Sequence, residues 1–94
     1  MKTLVWGTSF KRALKKTVRH HPELSGRIGQ ALHRLANDPF DPLLRTHKLK
    51  GELSGTWACT VEYDCRIVFD FASNRESGEE EILLIDIGKH DEVY

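Results

Sequence analysis

The chain opens with a short apolar run, Leu4-Val5-Trp6, between Lys2-Thr3 and Gly7. β-Branched and aromatic residues ahead of a glycine predict a strand over residues 2–6. Apolar residues then return at intervals of three and four, Phe10, Ala13, Leu14 and Val18, with Lys11, Arg12, Lys15, Lys16 and Arg19 between them. This spacing predicts an amphipathic, strongly basic helix capped by Thr8 or Ser9. Leu24, Ile28, Leu32 and Leu35 repeat the pattern, with Pro22 suited to a first turn and Asn37-Asp38-Pro39 as the stop. The tight connection predicts an antiparallel helical hairpin. Gly26 and Gly29, poor helix formers, are expected to permit close helix packing.

From Pro39 to Gly55 the sequence is rich in turn formers, and an ordered loop is expected, pinned by Phe40, Leu43, Leu44 and Leu49. "TWACTVEY", "CRIVFDF" and "EEILLIDI" then read as three strands. In the first two the odd positions 57 to 63 and 65 to 71 are apolar, which places Thr60, Glu62, Arg66 and Asp70 on a shared polar aspect that Val68 interrupts. The order β-α-α-β-β-β predicts a single α+β domain over residues 1–94, an antiparallel sheet packed against an N-terminal helical hairpin.

Charge changes this picture. The total is neutral, but residues 1–50 carry eleven Lys/Arg against three Asp/Glu, and residues 51–94 carry the reverse. A basic front half is suited to a polyanion, either nucleic acid or an acidic protein partner. No apolar run approaches the roughly 18 residues of a membrane span, and the N-terminal stretch is too short for a signal-peptide core. A cytoplasmic protein without membrane insertion is expected. Cys59 and Cys65 lack CxxC spacing and lie in strand-like sequence, so reduced, partly buried thiols are expected.

The five histidines separate by context. His20 and His21 close a basic helix, where a cation complements the helix dipole, and His33 lies mid-helix away from the apolar stripe. His47 opens the basic loop "HKLKG", and His90 follows the third strand and Gly88. A metal site is not expected at "HDE", because neighbours on an extended chain point in opposite directions. No cofactor is expected.

Without a metal, these groups fit cleavage of RNA by its own 2′-hydroxyl. A base removes that proton, a cation holds the crowded phosphate, and an acid protonates the departing 5′-oxygen. His47 or Asp64 is the candidate base, Arg66 with Lys48 and Lys50 the phosphate clamp, and His90 the acid. Lys89, beside His90, is a further candidate for holding the substrate.

"HKLKGELSGTWACTVEYDCRIVFDF" followed by "EILLIDIGKHDEVY" resembles the RelE/ParE superfamily of type II toxins, most closely the RelE/StbE, YoeB and YafQ-like branches. The resemblance implies an mRNA interferase that enters the ribosomal A site and is silenced by a cognate antitoxin, in a complex that can bind operator DNA. The YafQ-like pattern implies catalytic roles for His47, Asp64 and His90, while a further histidine of that branch falls on Thr60. The RelE pattern implies roles for Arg66 and Tyr94, but its paired lysines fall near Trp57 and Cys59 and are missing. The general base stays open between His47, Asp64 and Glu62. Two alternatives share the resemblance: a ParE-like toxin acting on DNA gyrase, and a degenerate copy that only binds its antitoxin.

Overall fold

The computed structural model describes residues 1–51, 55–62 and 64–89. Strand β1 (Thr3–Trp6) passes through Gly7 into helix α1 (Thr8–His20), a 3₁₀ turn over Pro22–Leu24 and helix α2 (Ser25–Asn37). A second 3₁₀ turn, Pro42–Leu44, precedes β2 (His47–Lys48), β3 (Trp57–Glu62), β4 (Cys65–Ser73) and β5 (Glu80–Lys89). The expected α+β order is present. The strands form one sheet in the order β1-β5-β4-β3-β2. Strands β2 to β5 run antiparallel to their neighbours, whereas β1 joins β5 in parallel and makes the sheet mixed.

Both helices lie on one face, α1 against β5 and α2 against β3. Phe10, Leu24, Ile28, Leu32 and Leu35 meet Cys59, Ile67, Phe69, Ile82 and Leu84, the inward residues of the three long strands. Odd numbering on β4, and on β3 as far as the bulge after Thr60, thus marks the helix side, as the alternation predicts. Glu62, expected on the polar aspect with Thr60 and Arg66, instead pairs with Cys65 beyond that bulge and reaches Arg27 of α2. The opposite face carries a smaller cluster of Leu49, Ala58 and Val68 with Ile85. Val68, which breaks the polar pattern, belongs to this second cluster.

Gly7 allows β1 and α1 to sit close to β5. Its N–H donates to the Leu84 carbonyl at 3.2 Å, and a Cβ there would lie 2.8 Å from that same oxygen. The two helical glycines behave otherwise. A Cβ at Gly26 or Gly29 would meet nothing within 4 Å, so they do not mediate close packing. Nor do Thr8 or Ser9 cap α1: Gly7 is the N-cap, and the Ser9 hydroxyl donates instead to the Ile85 carbonyl at 2.8 Å. Ile85 sits where the β4–β5 register shifts, so a bulge turns its carbonyl out of the ladder and Ser9 satisfies it.

The segment between α2 and β3 is more regular than a loop. Asp41 accepts from the Leu43 N–H at 2.9 Å to start the 3₁₀ turn, Leu44 and Leu49 are buried, and His47-Lys48 pair with β3. Phe40 and Leu43 stay largely exposed, although the Phe40 ring contacts Trp57 and Phe71. Among the described residues no helix is long and apolar enough to cross a membrane.

Candidate functional site

Register decides which side chains meet on the face away from the helices. His47 pairs with Ala58, and Arg66 pairs with Thr60 on one side and Gly88 on the other. Ala58 and Thr60 are two residues apart on β3, so His47 and Arg66 share a face and flank that strand one step apart. Gly88 itself brings no side chain to this face. A cleft of about 540 Å³ opens here, lined by Leu43, Arg45, His47, Thr60, Val61, Glu62 and Arg66.

A β-bulge shapes its floor. The β3–β4 register shifts between Thr60 and Glu62, leaving Val61 as the extra residue, and all three consecutive residues line the cleft. Glu62 is half-buried, and its Oε2 lies 3.3 Å from Arg27 Nε, a bridge from β3 to α2. Glu62 therefore has a cationic partner of its own.

The His47 ring is oriented by its own chain. Nδ1 lies 3.0 Å from the Arg45 carbonyl. A carbonyl oxygen only accepts, so Nδ1 carries the proton and, in the neutral ring, Nε2 is the proton-accepting nitrogen. The carbonyl is placed by an unusual backbone. Arg45 ends the Pro42–Leu44 turn with φ 50° and ψ 42°, the sole non-glycine residue with positive φ among the described residues.

The other sequence candidates lie elsewhere. Lys48 pairs with Trp57, so alternation turns it to the opposite face from His47, where its Nζ stands 5.5 Å from the Trp57 ring centre. Lys50 is exposed and does not line the cleft. Asp64, in the β3–β4 turn, also lies outside the lining and accepts from Lys89 Nζ at 3.1 Å. Lys89 pairs with Cys65 at the end of β5, and its hydrogen bond to Asp64 raises its pKa. His90 and Tyr94 lie outside the described residues. Thus the structure brings together His47 and Arg66, joins Asp64 to Lys89 nearby, and sets Lys48 apart. Arg45, in the cleft lining, is the cation that sequence reasoning missed.

The two thiols are buried in the core. Burial pushes the Cys59 thiol up to about 12. Among the described residues no group of three or more His, Cys, Asp or Glu could hold a metal ion.

This architecture recurs in solved toxins. YafQ from E. coli superposes with a TM-score of 0.78 at 14% identity, covering 100% of this chain and 99% of that one. The YoeB/ParE toxin from Agrobacterium tumefaciens gives 0.72 at 23% identity, covering 96% and 99%. A chain of the E. coli DinJ-YafQ toxin-antitoxin complex gives 0.76 at 13% identity, covering 99% and 97%. No curated protein sequence matches the chain. At these identities the solved structures establish the fold alone; the family is established by sequence. The family model described as the bacterial toxin of type II toxin-antitoxin system, YafQ, matches residues 2–94, and the chain belongs to that family of toxins.

Proposed function

We propose that this toxin is an endoribonuclease that cuts mRNA in the ribosomal A site, by attack of the RNA's own 2′-hydroxyl. The observation that carries the reading is the shared cleft of His47 and Arg66, with the His47 ring held by the Arg45 carbonyl. Nε2 of His47 takes the proton of the 2′-hydroxyl, and the resulting oxygen attacks the adjacent phosphorus. Arg66 presents a forked set of donors to the non-bridging oxygens, where negative charge concentrates in the transition state. The bond to the 5′-oxygen breaks, leaving a 2′,3′-cyclic phosphate and, once an acid supplies a proton, a 5′-hydroxyl. By resemblance to the YafQ-like and RelE patterns, His90 supplies that proton and Tyr94 positions the nucleotide.

Asp64 is better read as a positioning residue than as the base. Its carboxylate is engaged by Lys89, the residue before His90, and so anchors the end of β5. Lys48, Lys50 and Lys89 act in this reading as peripheral cations that draw the RNA backbone toward the site.

The partner that silences the toxin is proposed to be a cognate antitoxin, acidic where it neutralises, as DinJ accompanies YafQ in the solved complex. Lys11, Arg12, Lys15, Lys16 and Arg19 are exposed on α1. None forms a salt bridge among the described residues, so the helix offers an uncompensated basic face. Together the two proteins are proposed to bind operator DNA.

Expression without antitoxin, followed by mapping of mRNA ends, tests the reading. New 5′-hydroxyl ends within ribosome-bound messages, lost in His47→Ala and Arg66→Ala, support it. Intact mRNA with inhibited DNA supercoiling would place the chain with the gyrase-directed toxins instead.

A further inference from the structure

Arg45 occupies a conformation that the chain would meet more easily with another residue. At φ 50° and ψ 42° it terminates the Pro42–Leu44 turn, its N–H donating to the Pro42 carbonyl at 3.3 Å. Helical turns that end left-handed usually carry glycine there, because a Cβ crowds the backbone in this region. Three glycines of this chain, Gly51, Gly55 and Gly78, adopt positive φ at other turns. Position 45 carries a long cation instead, and a non-glycine residue held in this region is a pointer to function rather than to stability.

Two features of Arg45 converge on one place. Its carbonyl accepts from His47 Nδ1 at 3.0 Å, and the residue lines the cleft that also holds His47 and Arg66. The residue is exposed, and its guanidinium forms no salt bridge among the described residues. The lysines nearest in sequence do not serve this cleft: Lys48 stands over Trp57 on the other face, and Lys50 is outside the lining.

We propose that Arg45 is a second phosphate-binding residue of the cleft, contacting the RNA backbone beside the phosphate that Arg66 holds, while its carbonyl fixes the proton of His47 on Nδ1. The substrate class is a single-stranded RNA phosphodiester, and the inference rests on the ribonuclease reading above. Two arginines in one cleft with the histidine grip consecutive phosphates, which holds the 2′-hydroxyl against Nε2. The left-handed backbone serves both parts at once, since its carbonyl meets the ring of the residue two positions on while the residue itself lines the cleft.

The side chain and the carbonyl are separable by substitution. Arg45→Gly keeps the acceptor and suits the backbone, so its melting temperature should equal or exceed that of the parent. Binding of a 2′-O-methyl oligoribonucleotide, which cannot be cut, should weaken about tenfold, with a salt slope smaller by about 0.7 for one lost phosphate contact. Cleavage of ribosome-bound mRNA should fall at least about tenfold, with Arg45→Lys intermediate because it keeps the charge and loses the fork. Imidazole ¹⁵N shifts should report a protonated Nδ1 in parent and Arg45→Gly alike; a proton on Nε2 would overturn the carbonyl's role.

If Arg45→Gly binds and cuts like the parent while His47→Ala does not cut, the phosphate role is wrong and the ribonuclease reading stands. If the parent binds the oligonucleotide in an Arg45-dependent way but does not cut, the ribonuclease reading is wrong and the phosphate site stands. If the parent neither binds nor cuts, both fall.

Discussion

His47 and Arg66 flank β3 on the face away from the helices, His47 beside Ala58 and Arg66 beside Thr60. Two short pairings, rather than proximity in sequence, bring a histidine and an arginine into one cleft. The strand partners of the two are small, Ala58 beside His47 and Gly88 beside Arg66. The helices support this face from behind, because the core they share with the sheet packs against the inward side of β3 and β4.

The pair of Asp64 and Lys89 gives a test of role. If the carboxylate anchors the end of β5, Asp64→Asn and Lys89→Met should each reduce cleavage by similar factors, and the double variant should lose little more than either single one. If Asp64 were the base, Lys89→Met would leave most of the activity that Asp64→Asn removes. Single-turnover cleavage rates on ribosomes distinguish the two patterns.

The same pair and the buried thiol predict the alkaline limb of stability. Lys89 is raised above its ordinary 10.5 by its hydrogen bond to Asp64, and Cys59 is raised from 9.0 to about 12 by burial. In both cases the folded state holds a proton that the unfolded chain gives up sooner. Stability is therefore full below about pH 9 and declines as pH rises through the range of these shifts. Urea unfolding between pH 8 and pH 11 should show the decline, and Cys59→Ala should flatten its first part, whatever its cost at neutral pH.

Cys59 and Cys65 are both fully buried, with the Cys59 thiolate strongly disfavoured. Neither should react with a thiol reagent at pH 8 except through unfolding. The labelling rate should rise with added urea in step with the unfolded population. Rapid labelling of the native protein would show that the sheet opens locally at these strands.

The glycines should respond in opposite directions. Gly7→Ala forces a Cβ to 2.8 Å from the Leu84 carbonyl and should destabilise by about 1–3 kcal/mol. Gly29→Ala places a methyl in open space on a helix and should stabilise by about 0.5–1 kcal/mol. Equilibrium denaturation of the two variants checks both signs. A neutral Gly7→Ala would mean that β1 is less firmly docked than the contact with Leu84 implies.

Much of the fold is legible along the chain because its apolar residues obey simple periods. The odd positions of β4, and of β3 as far as its bulge, turn to the helices, as alternation requires, and Leu24, Ile28, Leu32 and Leu35 bury the face of α2 that their spacing picks out. His47 and Arg66 can be singled out from residue type, and their family resemblance adds weight. What does not show is whatever depends on a second strand. The bulges at Val61 and Ile85 are defined by cross-strand register, and the pairing that turns Lys48 away from His47 exists only once β2 meets β3. Ser9 reads as a helix cap because its real acceptor, the Ile85 carbonyl, is remote in sequence. Arg45 is hidden for a related reason: a glycine would have announced the left-handed turn, and an arginine does not.

The cleft of His47 and Arg66 is proposed to cut RNA. Mapping of 5′-hydroxyl ends on mRNA in translating ribosomes, with purified parent, His47→Ala and Arg66→Ala proteins of matched thermal stability, tests it most directly. Cleavage by the parent that falls about 100-fold or more in each variant is the predicted result; undiminished cleavage in both variants would contradict the assignment.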